Sequence, residues 1–143
     1  MNINNLFNLL DDWRHLPAYQ LERRADIFFA LYLEPIIQHK TGVAIDFIIP
    51  EFPVRVGEIS EKLAKVNQSF KIDYLAYAKK EERLFLIELK TDQRSRRDKQ
   101  DWYLQRAAEI GIKGMLQGLQ KIYKATNQKV KYKYLLSKMM KWR

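Results

Sequence analysis

Residues 70–90, FKIDYLAYAKKEERLFLIELK, decide the fold. Residues 70–78 and 83–90 are rich in strand-forming side chains, and the four charged residues between them are typical of a solvated turn. The segment therefore predicts a β-hairpin.

The turn also predicts how the two strands pair. A loop centred between Lys80 and Glu81 places Leu75 opposite Leu86, and one position further along the same face it places Asp73 opposite Glu88. A three-residue loop would shift the register by one residue and send the two acids to opposite faces.

Two carboxylates that face each other within apolar strands require a physical explanation, because like charges directly opposite destabilise a sheet. A shared proton would relieve the repulsion. So would ion pairs with Lys71 and Lys90, which face each other in the same register. A hard cation such as Mg²⁺, Mn²⁺ or Ca²⁺ would do the same, and a solvated sheet surface would tolerate the pair without any partner.

The remaining segments predict an α-β-β-β-α-β order. Residues 1–17 form an arm or a short helix, and residues 19–40 have the apolar spacing of a helix that ends at Thr41 and Gly42. Residues 43–49 form a strand halted by Pro50, and a second extended piece follows at 54–56. A long helix runs to about Ala125, and residues 130–136 form a last strand. We expect an α/β (α+β) domain in which helices flank a mixed sheet.

Composition excludes several classes of site. The chain has 143 residues, which suits one domain over 1–143. It contains no cysteine and only two histidines, so disulfide frameworks, thiolate catalysis and cysteine-based zinc sites are ruled out. We expect no secretory signal, no membrane-spanning segment and a cytoplasmic location.

The charge distribution favours a polyanionic partner. Residues 1–70 carry 7 basic and 9 acidic side chains, whereas residues 71–143 carry 19 and 8, and the whole chain has a net charge of +9. Nucleic acid fits this asymmetry, because each cation placed on a phosphate releases condensed counterions. A solvated basic surface is the alternative.

Asp73, followed after the hairpin turn by Glu88-Leu89-Lys90, resembles the motif of the PD-(D/E)XK nuclease superfamily. Ile72 stands where that motif has proline. The predicted element order is similar to the restriction-endonuclease-like core of the same superfamily. The resemblance covers residues 19–136.

The resemblance implies a nuclease that depends on a divalent metal, Mg²⁺ or Mn²⁺, and hydrolyses phosphodiester bonds in DNA. Asp73, Glu88 and the backbone carbonyl of Leu89 would hold the metal, and Lys90 would orient or help deprotonate the attacking water and stabilise charge on the phosphate. An acid from the first helix would join them. Glu22 is the first candidate, with Asp26 and Glu34 as alternatives.

A basic cluster follows the motif directly. Arg94, Arg96 and Arg97 are placed to grip phosphates beside the site, and Gln100 and Tyr103 lie near the helix positions that some relatives use. The competing hypothesis is a non-catalytic module, which keeps a nuclease-like fold to bind nucleic acid or a protein. The sequence leaves open whether the protein forms a homodimer.

Overall fold

The structure is a computed structural model that describes residues 3–13, 16–17, 21–90 and 98–140, and only the backbone of residues 21–24. It combines five α-helices, one short 3-10 helix (Glu61–Leu63) and three strands among these residues, so the protein is a mixed α+β fold. The helices are α1 (Ile3–Trp13), α2 (Leu21–Thr41), α3 (Val56–Ile59), α4 (Asp98–Ala125) and α5 (Lys129–Met140). The strands are β1 (Phe47–Arg55), β2 (Ser69–Ala78) and β3 (Arg83–Ile87).

The chain divides into two compact units. One comprises Met1–Ala44 and Leu89–Arg96, and the other comprises Ile45–Glu88 and Arg97–Arg143. In the first unit, Phe7 of α1 meets Phe28 of α2 edge to face at 6.3 Å between ring centroids. Helix α2 ends as the sequence predicts, because Gly42 adopts a φ of 72° and donates its N–H to the Gln38 carbonyl at 2.8 Å.

The second unit contains the sheet, in the order β1-β2-β3 with both pairs antiparallel. Strand β1 continues through Pro50 and Pro53 to Arg55, so the predicted halt at the first proline is wrong. An edge strand tolerates proline because one side of its backbone has no partner strand. The predicted extended piece at 54–56 is the end of this same strand, and Val56 already begins α3.

The hairpin has the predicted register. Leu75 pairs with Leu86 and Tyr77 pairs with Leu84, on either side of a turn at residues 79–82. Asp46 supports this end of the sheet, since its carboxylate accepts a hydrogen bond from the Lys79 N–H at 2.7 Å.

Helix α4 supplies much of the core and ends at Ala125 as predicted. Met115 and Leu119 are fully buried with Leu75 and Ile72 of β2. Gly111 interrupts the helix with φ 62° and ψ −174°, a conformation that essentially only glycine adopts. Before this interruption, Ala107 is buried and Ala108 is exposed.

The C-terminal segment differs from its prediction. Residues 130–136 belong to α5, and the predicted last strand is therefore wrong. Both strand pairs in the described residues are antiparallel, so the predicted mixed sheet is also wrong. Helix α5 packs on the core through residues spaced by three and four, which are Tyr132, Leu135, Leu136 and Met139.

A buried charge network connects β1, α3 and α4. The Arg55 guanidinium donates to Glu58 Oε1 at 3.0 Å and to the Asn67 side-chain oxygen at 3.0 Å. It also donates to the Ala64 carbonyl at 2.6 Å, and Lys121 Nζ lies 2.7 Å from Glu58 Oε1. A Cβ at Gly118 would lie 2.8 Å from the Glu58 Cγ, so this glycine makes room for the network.

Candidate functional site

Asp73 and Glu88 lie at corresponding positions of the hairpin. The last pair of the β2–β3 ladder is Tyr74 with Ile87, and the next position on each chain is Asp73 and Glu88. Strand β3 ends at Ile87, so Glu88 is the first residue beyond it. The register required for an opposed acid pair is therefore present.

Both acids lie among apolar residues. Asp73 and Glu88 are half-buried, and the neighbours of Asp73 in the strand, Ile72 and Tyr74, are 0% and 3% exposed. By strand alternation Asp73 shares a face with Leu75, which is fully buried. The surroundings differ from the solvated surface that would tolerate opposed acids at little cost.

Sequence reasoning missed a third acid. The pairs Pro50 with Tyr74 and Phe52 with Ile72 leave Glu51 opposite Asp73 on the other side of β2. Glu51, Asp73 and Glu88 therefore occupy one row across the three strands, which we call the carboxylate row. The missed signal was an acid between two prolines, a pattern compatible with an edge strand.

Glu51 has an unusual backbone. Its φ is 49°, in the left-handed region that disfavours residues other than glycine. Its exposed carboxylate lies 3.9 Å from the Lys71 ammonium. Backbone strain of this kind is concentrated at functional sites, so its position opposite Asp73 supports a site at the row.

The other predicted metal-binding and catalytic residues belong to the first compact unit. Leu89 is half-buried and Lys90 is exposed directly after the hairpin, and both belong to the first compact unit. That unit also contains α2, with the exposed acids Asp26 and Glu34. Glu22 lies in the first turn of α2, and its side chain is outside the described part.

The predicted DNA contacts are placed only in part. Arg94, Arg96 and Arg97 lie outside the described residues. Gln100 is half-buried in the first turn of α4. The Tyr103 ring stacks on Phe70 at 4.7 Å, and the Lys99 ammonium lies 5.7 Å from its centroid. Tyr103 therefore packs against the sheet in this structure.

A cavity lies on the sheet face that carries Leu75, at the end away from the carboxylate row. It measures about 680 Å³, and Phe47, Tyr77, Leu116 and Met139 contribute to its walls. Tyr77 is four residues from Asp73 along β2, which is about 13 Å in a strand. The cavity and the carboxylate row are therefore separate features.

The donor atoms at the row are all oxygens. Carboxylates are ligands for hard cations, and Mg²⁺ is commonly held through one or two of them. Within residues 3–13, 16–17, 21–90 and 98–140, no three acidic or histidine side chains are arranged as a metal-binding group. A cation at this position would therefore use the Asp73–Glu88 pair with water and backbone oxygens.

Comparisons with protein families, curated proteins and solved structures find no match to this chain. None of the described helices combines the length and the apolar composition needed to cross a lipid bilayer.

Proposed function

We propose that the protein is a divalent-metal-dependent nuclease that hydrolyses phosphodiester bonds in DNA. The proposal includes the use of Mg²⁺ or Mn²⁺ and a restriction-endonuclease-like core built on the hairpin and α4, without the last strand that the sequence predicted. It extends the sequence resemblance carried by Asp73 and Glu88-Leu89-Lys90.

One observation carries the proposal, and it is the register of the β2–β3 hairpin. This register aligns Asp73 with Glu88 at the end of a ladder of apolar pairs. Like charges directly opposite each other in a sheet repel. A bound cation would convert the repulsion into shared coordination.

Each residue of the motif has a role in this proposal. Asp73 and Glu88 hold the metal, together with the backbone carbonyl of Leu89. The Lys90 ammonium orients the attacking water and stabilises negative charge on the phosphate. Glu22 is the additional acid that the sequence resemblance implies.

A divalent cation, when bound, would lower the pKa of a coordinated water and neutralise charge on the phosphate. The protein's own contribution is positioning. Half-burial of Asp73 and Glu88 limits their motion, and the rigid ladder from Tyr74 to Ala78 sets their spacing.

The test is cleavage of plasmid and oligonucleotide DNA in Mg²⁺ or Mn²⁺, comparing the wild-type protein with Glu88→Gln. We expect the variant to lose about 10²-fold or more of the rate, the size of effect seen when one group that stabilises a transition state is removed. Glu82→Gln is the matched control, because Glu82 is an exposed acid in the turn of the same hairpin.

Thermal unfolding checks that each variant is folded. Cleavage by folded Glu88→Gln at the wild-type rate would overturn the proposal. DNA binding by the wild-type protein without cleavage in either metal would favour the non-catalytic binding module instead.

A further inference from the structure

The net positive charge of the protein is confined to its C-terminal quarter. Residues 1–109 contain 17 basic and 17 acidic side chains, so they carry no net charge. Residues 110–143 contain nine lysines and arginines and no aspartate or glutamate, which accounts for the whole net charge of +9. This segment covers the second half of α4 and all of α5.

The packing of α5 defines which of its faces is outward. At 100° per residue, Val130 and Tyr134 point away from the mean direction of the buried Met139 and the partly buried Tyr132, Leu135 and Leu136. Val130 is 83% exposed and Tyr134 is 64% exposed.

Lysines flank this outward face on both sides. Lys133 lies along one flank, and Lys131 and Lys138 lie along the other, about 10.5 Å apart along the helix axis. We call Val130, Lys131, Lys133, Tyr134 and Lys138 the lysine face.

The lysine face has no acidic partner among the residues that the structure describes. Lys131 and Lys133 make no ion pair or hydrogen bond with any residue that the structure describes, and the Lys138 ammonium lies 5.4 Å from the Tyr134 ring centroid. Other lysines nearby have structural roles. Lys121 pairs with Glu58, and Lys129 donates to the Tyr123 and Lys124 carbonyls at the end of α4.

The lysines near the start of α5 lower the stability of this helix. Lys129 and Lys131 stand in the first turn of α5, where the helix dipole disfavours cations and where no acidic residue is present. Lys129 and Lys133 also form a like-charge pair at a spacing of four. Lys129 is explained by its contacts with α4, whereas Lys131 and Lys133 have no structural explanation.

We propose that the lysine face docks against the phosphate backbone of duplex DNA. This inference rests on the proposed function for its ligand. A helix with side chains is about 10–12 Å across, and the major groove of B-DNA is about 12 Å wide. Lysines on both flanks of α5 then face the phosphates of the two strands, and Val130 and Tyr134 face the groove floor.

The experiment measures binding in EDTA, where metal-dependent cleavage cannot occur. Fluorescence anisotropy of a labelled 20-bp duplex between 50 and 200 mM salt compares the wild-type protein with the triple variant Lys131→Gln, Lys133→Gln and Lys138→Gln. The matched control is Lys62→Gln, Lys65→Gln and Lys80→Gln, which removes the same charge from exposed lysines outside α5.

We expect the slope of log K against log salt to become shallower by about 0.9 for each lysine that contacts a phosphate. The affinity at 0.1 M salt should fall about eightfold for each such contact, by the same relation. Glutamine favours helices about as well as lysine, so α5 should persist in the variant. The single variant Lys131→Gln, with a slope change of about 0.9, provides a second measurement if the triple variant does not fold.

Equal losses of affinity in the two triple variants would overturn the inference, because a general positive field would then explain binding. Tighter binding to a single strand of the same length, or to vesicles rich in phosphatidylserine, would overturn the choice of duplex DNA.

A failure of the proposed function can be distinguished from a failure of this inference. Cleavage that survives Glu88→Gln leaves the slope of binding in EDTA unchanged, whereas a lysine-face failure leaves metal-dependent cleavage intact.

Discussion

The second compact unit contains two clusters of charge that follow opposite rules. In the Arg55 network the charges alternate in sign, and Arg55 is hydrogen-bonded to Glu58, Asn67 and the Ala64 carbonyl. In the carboxylate row, the registers of the two strand pairs place three acidic positions on one line across the sheet.

The difference separates a structural cluster from a candidate site. Buried charges are compatible with folding when they are paired, which is the case in the Arg55 network. The members of the carboxylate row carry the same sign, and Glu51, whose exposed carboxylate lies 3.9 Å from the Lys71 ammonium, has a left-handed backbone. The lysine face of α5 also groups charges of one sign, in its case positive.

The largest expected effect would come from breaking the structural cluster. Glu58→Gln leaves the Arg55 guanidinium buried without its carboxylate, so we expect the free energy of unfolding to fall by about 3–5 kcal/mol. Urea denaturation measures this loss. The matched control Glu61→Gln, at an exposed acid in the next turn, should change stability by less than about 0.5 kcal/mol. A similar small change for Glu58→Gln would show that the network is not structural.

A substitution in the carboxylate row should lower the rate of DNA cleavage. Asp73→Asn keeps the shape of the side chain and removes its charge, so we expect the cleavage rate at saturating DNA to fall about 10²-fold or more. The dissociation constant for DNA in EDTA should remain within about threefold of the wild-type value, because a carboxylate makes no favourable contact with phosphate. A variant that binds weakly and cleaves normally once bound would contradict the assignment.

The same substitution should have a small effect of the opposite sign on stability. Without metal, Asp73→Asn removes a like-charge repulsion, and we expect the free energy of unfolding in EDTA to rise by about 0.2–1 kcal/mol. Added Mg²⁺ should stabilise the wild-type protein and leave the variant unchanged. Destabilisation in EDTA would show that Asp73 is held by a structural ion pair.

A stability effect of similar size is expected at the lysine face. Lys131→Glu places an acid in the first turn of α5, where the helix dipole favours it, so we expect a gain in stability of about 0.3–1 kcal/mol. Thermal unfolding measures the gain, and the anisotropy assay should show weaker DNA binding by the same variant. A stabilised protein with unchanged binding would remove Lys131 from the docking surface.

The sequence was sufficient where the deciding interactions are local. A four-residue charged turn between two apolar strands specifies its own register, and the pairing of Leu75 with Leu86 confirms that prediction. The end of α2 at Gly42 follows from the same kind of short-range information.

Prediction failed where distant segments compete for a residue. The alternation of lysine with tyrosine at residues 131–134 is typical of a strand, but packing of Leu135 and Met139 on the core makes α5 a helix. The prolines of β1 suggest a stop, and only the position of this strand at the sheet edge explains why pairing continues past them.

The candidate site also contains one part that local sequence predicts and one part that depends on distant contacts. Asp73 and Glu88 could be paired from the sequence, because one short turn joins their strands and chain connectivity sets their spacing. Glu51 reaches the carboxylate row, and α5 turns its lysines outward, only through contacts between segments far apart in the chain. Such contacts depend on which buried surfaces fit together, and that fit is a property of the folded core.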